Sequence, residues 1–305
     1  MNRNYRVVYN QSTGTYVAVA ENTTARKKSK TTVKTIVAAL SVSAVMVGVS
    51  GEAQASFRSD DSSKNQYGNN YVAIGNNAQV GTSTKSSDNS IAIGNNAKAQ
   101  NSQSTAVGDS AQALGNRSTV LGYGARVDAG TGQSIAIGSM SQAKGTQSTA
   151  IGNDTFATGN SSIAIGGDDV NEVITAAGDE YEKLTGVKLQ LSQWQSTDSK
   201  GQGSIAIGVQ SQALGDFSTA LGLTAKTEGL GSVAFGANAR GTAKGATAIG
   251  TASVASAQQA TAIGMNSTAT GQNSTAIGSG GNTPTTATKA TADGAIAIGG
   301  NTTKG

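Results

Sequence analysis

The segment Thr-Ala-Ile-Gly at residues 247–250 recurs at residues 261–264 and again at residues 275–278, each time after fourteen residues. The same frame, a β-branched residue, a small residue, an apolar residue and glycine, is found fourteen times, and nine of the thirteen intervals between its glycines equal fourteen residues. A fixed period of this length is typical of solenoids, whose repeats cannot bury a core alone and therefore stack on one another. The chain is predicted to be all-β and to form a solenoid of fourteen-residue coils. The frame glycines are Gly75, Gly94, Gly108, Gly122, Gly138, Gly152, Gly166, Gly208, Gly222, Gly236, Gly250, Gly264, Gly278 and Gly299.

The frame itself is the pattern of a short strand with two different faces. All fourteen residues three positions before the glycine are β-branched, and all fourteen residues one position before it are apolar. These side chains share a face, and we expect that face to line the interior of the coil. The alanine between them points the other way, where a uniform small apolar residue indicates close packing against a neighbouring chain. The alanines predicted to face that chain are Ala92, Ala106, Ala136, Ala150, Ala164, Ala206, Ala220, Ala234, Ala248, Ala262 and Ala276.

A second short strand is predicted after each frame glycine. Its pattern is small, long, small, as in residues 111–113 and 211–213, so that the small residues turn inward and the long central residue turns to water. One coil therefore has two strands and two turns, and its core is too thin to stabilise a monomer without oligomerisation. A second glycine is expected to turn the backbone at positive φ. These second glycines are Gly115, Gly145, Gly159, Gly201, Gly215, Gly229 and Gly271.

The N-terminal residues have the layout of a secretory signal. A basic run at residues 26–34 precedes an apolar stretch at residues 36–49, which is shorter than the ~20 residues of a membrane span. We expect residues 1–55 to be an extended signal peptide cleaved after Ala55, followed by a linker at residues 56–70. Residues 1–55 carry a net charge of +5, whereas the whole chain carries +4. The remainder is close to neutral, so the composition offers no basic patch for nucleic acid.

Two stretches resemble a known family. Residues 1–21 are similar to the extended signal peptide region of type V secretion proteins of Gram-negative bacteria, although Tyr9 and Tyr16 stand where tryptophan is commoner. Asn-Ser-Ile-Ala-Ile-Gly at residues 89–94 resembles the Asn-Ser-Val-Ala-Ile-Gly repeat of the YadA-like head of trimeric autotransporter adhesins. The resemblance implies a left-handed parallel β-roll over residues 71–300, assembly as a homotrimer, and export to the cell surface or outer membrane.

The longest irregular interval lies between Gly166 and Gly208. We interpret residues 167–200 as one coil that carries a small inserted lobe of about 28 extra residues. Asp169 and Glu172 resemble a helix capping box, and apolar residues follow at helical spacing before the single tryptophan, Trp194. The lobe is either a partner-recognition loop or a segment that packs Trp194 against the roll or a neighbouring subunit. Its acidic residues lack the spacing of a calcium loop, so no metal site is predicted.

The composition excludes the commonest catalytic chemistries. The chain has no histidine and no cysteine, which removes Ser-His and Cys-His nucleophiles and typical zinc sites. Its acidic residues are scattered outside the lobe, and its glycines do not form a phosphate-binding loop. We therefore expect neither an enzyme nor a bound cofactor.

The remaining hypotheses concern adhesion and structure. Family resemblance favours a multivalent adhesin head that binds host extracellular matrix proteins such as collagen, fibronectin or laminin, or a host cell surface. The alternative is a spacer or a bacterial self-association element. The candidate ligand-binding residues are Lys98, Arg126, Phe156, Lys226, Arg240 and Trp194, and the charged ones could equally serve solubility alone. The family usually continues into a stalk and a membrane anchor, so residues 301–305 are expected to be a truncated end.

Overall fold

The computed structural model describes residues 5–10, 15–20, 57–58, 67–189, 194–279 and 286–300. They belong to two units, Met1–Val42 and Ser43–Gly305. Most of the predicted signal peptide, its cleavage site after Ala55 and the predicted truncated end at 301–305 lie outside the described residues.

The described part of the first unit is a hairpin. Strand β1 (Tyr5–Asn10) pairs antiparallel with β2 (Thr15–Ala20), from Tyr5 opposite Ala20 to Asn10 opposite Thr15. Alternating β-branched and aromatic residues favour this extended conformation. The N-terminal segment that resembles an extended signal peptide thus has a regular two-stranded backbone.

The second unit is a solenoid of two parallel sheets, as the repeat predicted. Each coil contributes one strand to each sheet, and each strand pairs with the equivalent strand of the coils before and after it. The first sheet has fifteen strands: β3 (Phe57–Arg58), β4 (Val72–Ile74), β6 (Ile91–Ile93), β8 (Thr105–Val107), β10 (Thr119–Leu121), β12 (Ile135–Ile137), β14 (Thr149–Gly152), β16 (Ile163–Gly166), β18 (Ile205–Ile207), β20 (Thr219–Leu221), β22 (Val233–Phe235), β24 (Thr247–Ile249), β26 (Thr261–Ile263), β28 (Thr275–Ile277) and β30 (Ile296–Ile298). The second sheet has thirteen strands: β5 (Gln79–Val80), β7 (Lys98–Ala99), β9 (Gln112–Ala113), β11 (Arg126–Val127), β13 (Gln142–Ala143), β15 (Phe156–Ala157), β17 (Asp198–Ser199), β19 (Gln212–Ala213), β21 (Lys226–Thr227), β23 (Arg240–Gly241), β25 (Val254–Ala255), β27 (Thr268–Ala269) and β29 (Lys289–Ala290).

The in-register pairing stacks equivalent residues of successive coils at about 4.8 Å. Ala248, for example, lies between Ala234 and Ala262 in the first sheet. The first sheet also begins earlier than predicted. Phe57 and Arg58, which the sequence analysis placed in a linker, form a strand that pairs with Val72 and Ala73. The part of the chain that the structure describes contains one helix, α1 (Asn171–Thr185), which belongs to the inserted lobe.

The two faces of the first sheet are the reverse of the prediction. The frame alanines are fully buried within the single chain, whereas the residues on either side of them are half-buried or exposed. A side chain with no exposed surface in its own chain cannot contact another chain, so the prediction of chain-facing alanines was wrong. The alanines to which this correction applies are Ala92, Ala106, Ala136, Ala150, Ala164, Ala206, Ala220, Ala234, Ala248, Ala262 and Ala276, all at 0 % exposure.

The width of the coil explains this reversal. The second sheet turns only small side chains inward, among them Ala113, Ala143 and Ala213. Two sheets that face each other across such residues lie too close together to accommodate isoleucine between them, and only alanine, serine, threonine or an occasional valine fits. The largest fully buried side chains in the roll are accordingly Val80, Val120 and Val127. The isoleucines must point out of the roll, where they stack on the equivalent residues of the neighbouring coils.

At two sets of glycines, the stacking of the coils excludes any larger residue, for different reasons. Gly222, a frame glycine, has a φ of +136°, and a Cβ there would lie 2.5 Å from the carbonyl oxygen of Gly236. Gly145, a second glycine, has a φ outside the left-handed region, so the prediction of positive φ at these glycines was wrong. A Cβ at Gly145 would lie 2.0 Å from the carbonyl oxygen of Gly159. These second glycines are therefore required by close approach of the next coil rather than by backbone conformation.

The turn between the two strands forms a continuous ridge, which we call the first-turn ridge. It consists of the residues two positions after the frame glycines, most of which have positive φ, for example Asn77 at 56° and Asn96 at 55°. Asp154 and Asp168 occupy neighbouring positions on this ridge. Burial, and then the charge of Asp168, raise the pKa of the Asp154 carboxyl above its ordinary value of 3.8.

The glycine geometry gives a first prediction. Gly222→Ala should lower the free energy of unfolding by about 3 kcal/mol or more, because the methyl group meets a backbone carbonyl and the residue is held at positive φ. Gly231→Ala is the matched control, since Gly231 also has positive φ, +63°, but no atom within 4 Å of the added Cβ. This control substitution should lower the free energy of unfolding by about 1 kcal/mol. Urea denaturation measures both, and equal losses would contradict the stacking argument.

The ridge carboxylates give a second prediction. Because the folded-state pKa of Asp154 is raised, its ionised form destabilises the native state, and this penalty is lost as the pH falls through that pKa. Asp154→Asn should therefore raise Tm at pH 7, and part of that gain should vanish below pH 3.8, the ordinary pKa. Asparagine also favours the φ of 45° found here, which adds a gain that does not depend on pH. A gain that is constant from pH 7 to pH 3 would contradict the charge argument.

Candidate binding surfaces

The predicted charged residues all lie on the outer face of the second sheet. Each begins a two-residue strand, so its side chain points out while the next residue is buried. We call this ladder of first residues the outer stripe. The predicted site residues on it are Lys98, Arg126, Phe156, Lys226 and Arg240.

The structure brings only some of these residues together. Lys226 and Arg240 are direct neighbours in the parallel ladder, about 4.8 Å apart along the sheet. Lys98 and Arg126 are separated by Gln112. Five coil steps, about 24 Å, separate Arg126 from Lys226. The four predicted cations therefore form two separate pairs on the stripe rather than a continuous site.

Several of the charges on the stripe have local partners. Arg126 Nε lies 2.5 Å from Asp128 Oδ1, and Lys226 Nζ lies 2.7 Å from Glu228 Oε1. These pairs are partly exposed, so their contribution to stability is small. Lys144 Nζ lies 5.2 Å from the centre of the half-buried Phe156 ring, so an ammonium group lies over the face of this aromatic side chain.

The inserted lobe leaves the roll at the first turn. Thr197 rejoins the coil in the position that Thr155 has in the preceding coil, because Asp198 pairs with Phe156. The lobe thus comprises residues 169–196. The backbone N–H of Asn171 donates to Asp169 Oδ1 over 2.8 Å at the start of α1. The N-cap position is Val170, which makes no side-chain cap. The predicted capping box was therefore wrong: Asp169 lies one position before the N-cap, and Glu172 is the second residue of the helix rather than the third.

Helix α1 lies along the first-turn ridge. Its fifteen residues span about 22 Å, close to the four coil rises of about 19 Å between the coils of Gly208 and Gly264. The least exposed residues of the lobe follow helical spacing: Val170 and Thr185 are buried, and Ile174 and Tyr181 are half-buried. Two bonds connect the C-terminal part of the helix to the roll. Tyr181 Oη donates to the carbonyl of Ala237 over 3.4 Å, and Asn266 Nδ2 donates to the carbonyl of Thr185 over 2.7 Å.

The helix changes the environment of the ridge beneath it. Asn77 and Asn96, on the uncovered part of the ridge, are exposed, whereas Asn266 is 3 % exposed. Asn266 Oδ1 and Thr224 Oγ1 are buried without a hydrogen-bond partner among the described residues. Burial also raises the pKa of the Tyr181 hydroxyl, against the opposing effects of Asn238, Thr185 and Arg240. The interface between lobe and roll is therefore only partly apolar.

A cleft of about 330 Å³ lies between the lobe and the outer stripe. Its apolar wall includes Ile174, Val187 and Leu223, and its cations are Lys188, Lys226 and Arg240. The lobe thus encloses one of the two cationic pairs of the stripe and adds a third cation. Lys188 was not predicted, because no sequence pattern shows that residues after α1 return over the second sheet.

The exposed aromatic residues differ from those predicted. Trp194 is 71 % exposed, so the interpretation that it packs against its own roll was wrong. Phe217 and Tyr123 are 69 % and 60 % exposed and were not singled out in the sequence. The repeat could have identified Phe217, since the fourteen-residue register places it in the turn position that Gly203 and Gly231 occupy in neighbouring coils.

The described residues contain no group of three or more acidic side chains arranged to hold a metal ion. Within the same part of the chain, no helix has the length and apolar character needed to cross a membrane. What the structure offers is a long repetitive surface with one local cleft, an arrangement suited to binding rather than to catalysis.

Comparisons with known families agree with this arrangement. Residues 1–49 match the extended signal peptide of type V secretion systems. The YadA head domain repeat (2 copies) matches nine segments within residues 86–302, of which the first eight overlap in pairs: 86–111, 99–125, 132–155, 143–168, 199–223, 215–239, 242–267, 255–280 and 286–302. A comparison with curated proteins gives no match. The family is one of exported, cell-surface adhesion proteins rather than enzymes. The chain belongs to the trimeric autotransporter adhesins with a YadA-like head.

Proposed function

We propose that this adhesin is a homotrimer that binds host extracellular matrix proteins, or a host cell surface, through many weak contacts along its head. The observation that carries the proposal is the uncovered apolar face of the first sheet. Its outward residues include Leu121 at 47 %, Phe235 at 52 % and Ile296 at 73 % exposure. Monomeric proteins rarely expose apolar patches larger than a few hundred Å².

The regularity of this face favours other copies of the same chain as its cover. Isoleucine and threonine or valine repeat along it in register, so two columns of β-branched and apolar side chains follow the whole length of the sheet. A second copy presents the same columns at the same spacing, and burial of both removes apolar surface from water at ~25 cal/mol per Å². Assembly of three chains is what the family implies, and it would place all three second sheets outward.

The outward second sheets supply the proposed contacts with the host. A trimer displays each position of the outer stripe three times, and a rod that bears many equivalent weak sites gains strength by avidity. Collagen, fibronectin and laminin are the matrix partners proposed, with Lys98, Arg126, Phe156, Lys226 and Arg240 as candidate contacts. Trp194, exposed in the lobe, is a further candidate.

The experiment compares wild type with Ile249→Asp, which puts a charge on the proposed interface, and with Gln258→Asp, a matched control in the exposed turn between β25 and β26, which lies on neither the proposed interface nor the outer stripe. Light scattering measures the oligomer, and binding is measured on surfaces coated with collagen, fibronectin and laminin. Wild type and Gln258→Asp should be trimers that bind at least one matrix protein saturably. Ile249→Asp should dissociate and bind at least tenfold more weakly, through loss of avidity.

Two results would contradict the proposal. A wild-type protein that aggregates with itself or coats a surface, yet binds no matrix protein or host cell, would support the spacer or self-association role. A monomeric wild type would contradict the proposed homotrimer, because the exposed apolar face of the first sheet would then not be covered by other copies of the chain.

A further inference from the structure

We propose that the cleft between the inserted lobe and the outer stripe binds a sulfated polysaccharide chain. This inference rests on the proposed function, because it assigns one class of host ligand to one place on the adhesin. It concerns the cleft lined by Lys188, Lys226 and Arg240.

The charges that line the cleft are the first observation that supports a sulfated ligand. Lys226 and Arg240 are neighbours in a parallel ladder, where like charges repel. Glu228 pairs with Lys226, but among the described residues no carboxylate lies within ion-pair distance of Arg240 or Lys188. Three cations thus line the cleft, and Glu228 is the one carboxylate among the described residues that pairs with any of them. An anion bound between them would relieve this repulsion.

The uncharged part of the cleft favours a sugar chain. The amides of Gln195 and Gln212 line it beside the cations and can hydrogen-bond hydroxyl or sulfate oxygens. Leu223 and Val187 offer an apolar wall to the C–H faces of a sugar ring. The cleft lies on the face of the second sheet rather than at an edge, so it presents no free backbone ladder to an acidic peptide. A polysaccharide, which relies on side-chain contacts, fits this surface better.

The rest of the chain supplies a matched comparison. Lys98 and Arg126 occupy the same strand position as Lys226 and Arg240, but no lobe among the described residues covers them. Each pair contains one cation with an ion-pair partner, Arg126 with Asp128 and Lys226 with Glu228. Replacing either pair by glutamine removes two positive charges and leaves one carboxylate without its partner, so the two double variants are matched in charge. Only one of the two pairs lines the cleft.

The lobe can also be removed without a change of register. Deletion of residues 169–196 joins Asp168 to Thr197, as Asp154 is joined to Thr155 in the preceding coil. The product is a roll with a regular fourteen-residue coil at this point, and it keeps Lys226 and Arg240.

The test measures binding of the purified protein to heparin, with chemically desulfated heparin as the matched probe. Wild type should bind heparin, and added salt should weaken the binding. Lys226→Gln/Arg240→Gln should weaken it about tenfold or more, because the cleft loses two charge-assisted contacts. Deletion of residues 169–196 and Lys188→Gln should also weaken it, whereas Lys98→Gln/Arg126→Gln should stay within about twofold of wild type. Circular dichroism and light scattering check that each variant is folded and assembled.

Three results would overturn the inference: no binding of heparin by folded wild type, equal losses in the two double variants, or equal binding of desulfated heparin. Effective competition by poly-glutamate would assign the cleft to acidic polypeptides instead. Binding to collagen, fibronectin and laminin is measured on the same samples. Matrix binding without heparin binding would overturn the polysaccharide inference and leave the proposed adhesin function intact. Heparin binding without matrix binding would contradict only the proposed protein ligands.

Discussion

The narrow interior of the fourteen-residue coil is the constraint on which the rest of the structure depends. Two strands of two to four residues, joined by two tight turns, enclose space only for side chains of about the size of alanine. The consequence is an unusual inversion, in which the largest apolar residues of the frame lie outside the roll. The chain then has a well-packed interior that buries little surface, together with an exposed apolar face that the proposed trimer would cover. In such a trimer, stability and assembly would be coupled at every coil.

The same constraint explains what the sequence could and could not predict. The period, the two strands per coil and the inward small residues of the second strand follow from the pattern itself. The direction of Ile249 and Ala248 does not, because alternation shows that they lie on opposite faces without saying which face is the interior. That choice depends on the distance between the sheets, which is set by residues elsewhere in the coil such as Ala255. The second glycines were misread for a related reason, since only the stacked structure shows that the next coil, rather than φ, excludes a side chain.

The sequence shows the inserted lobe as a break in the fourteen-residue period, but it does not show where the lobe packs against the roll. Nothing in residues 169–196 indicates that α1 follows the first-turn ridge, or that the chain then returns over Lys226 and Arg240. The lobe replaces the repetitive outer stripe with a local cleft at one place along the rod. A regular roll supplies many equal and weak contacts, whereas a single inserted segment is where one site can differ from all the others.

The most direct measurement asks which residues of the first sheet point out of the roll. The chain has no cysteine, so Ala248→Cys and Ile249→Cys each introduce a single thiol per chain. In the native protein Ile249→Cys should be cross-linked between chains by a short thiol-specific reagent, and Ala248→Cys should stay unreactive until the protein is unfolded. Cross-linking through Ala248→Cys together with protection of Ile249→Cys would contradict the account of an alanine interior and an isoleucine interface.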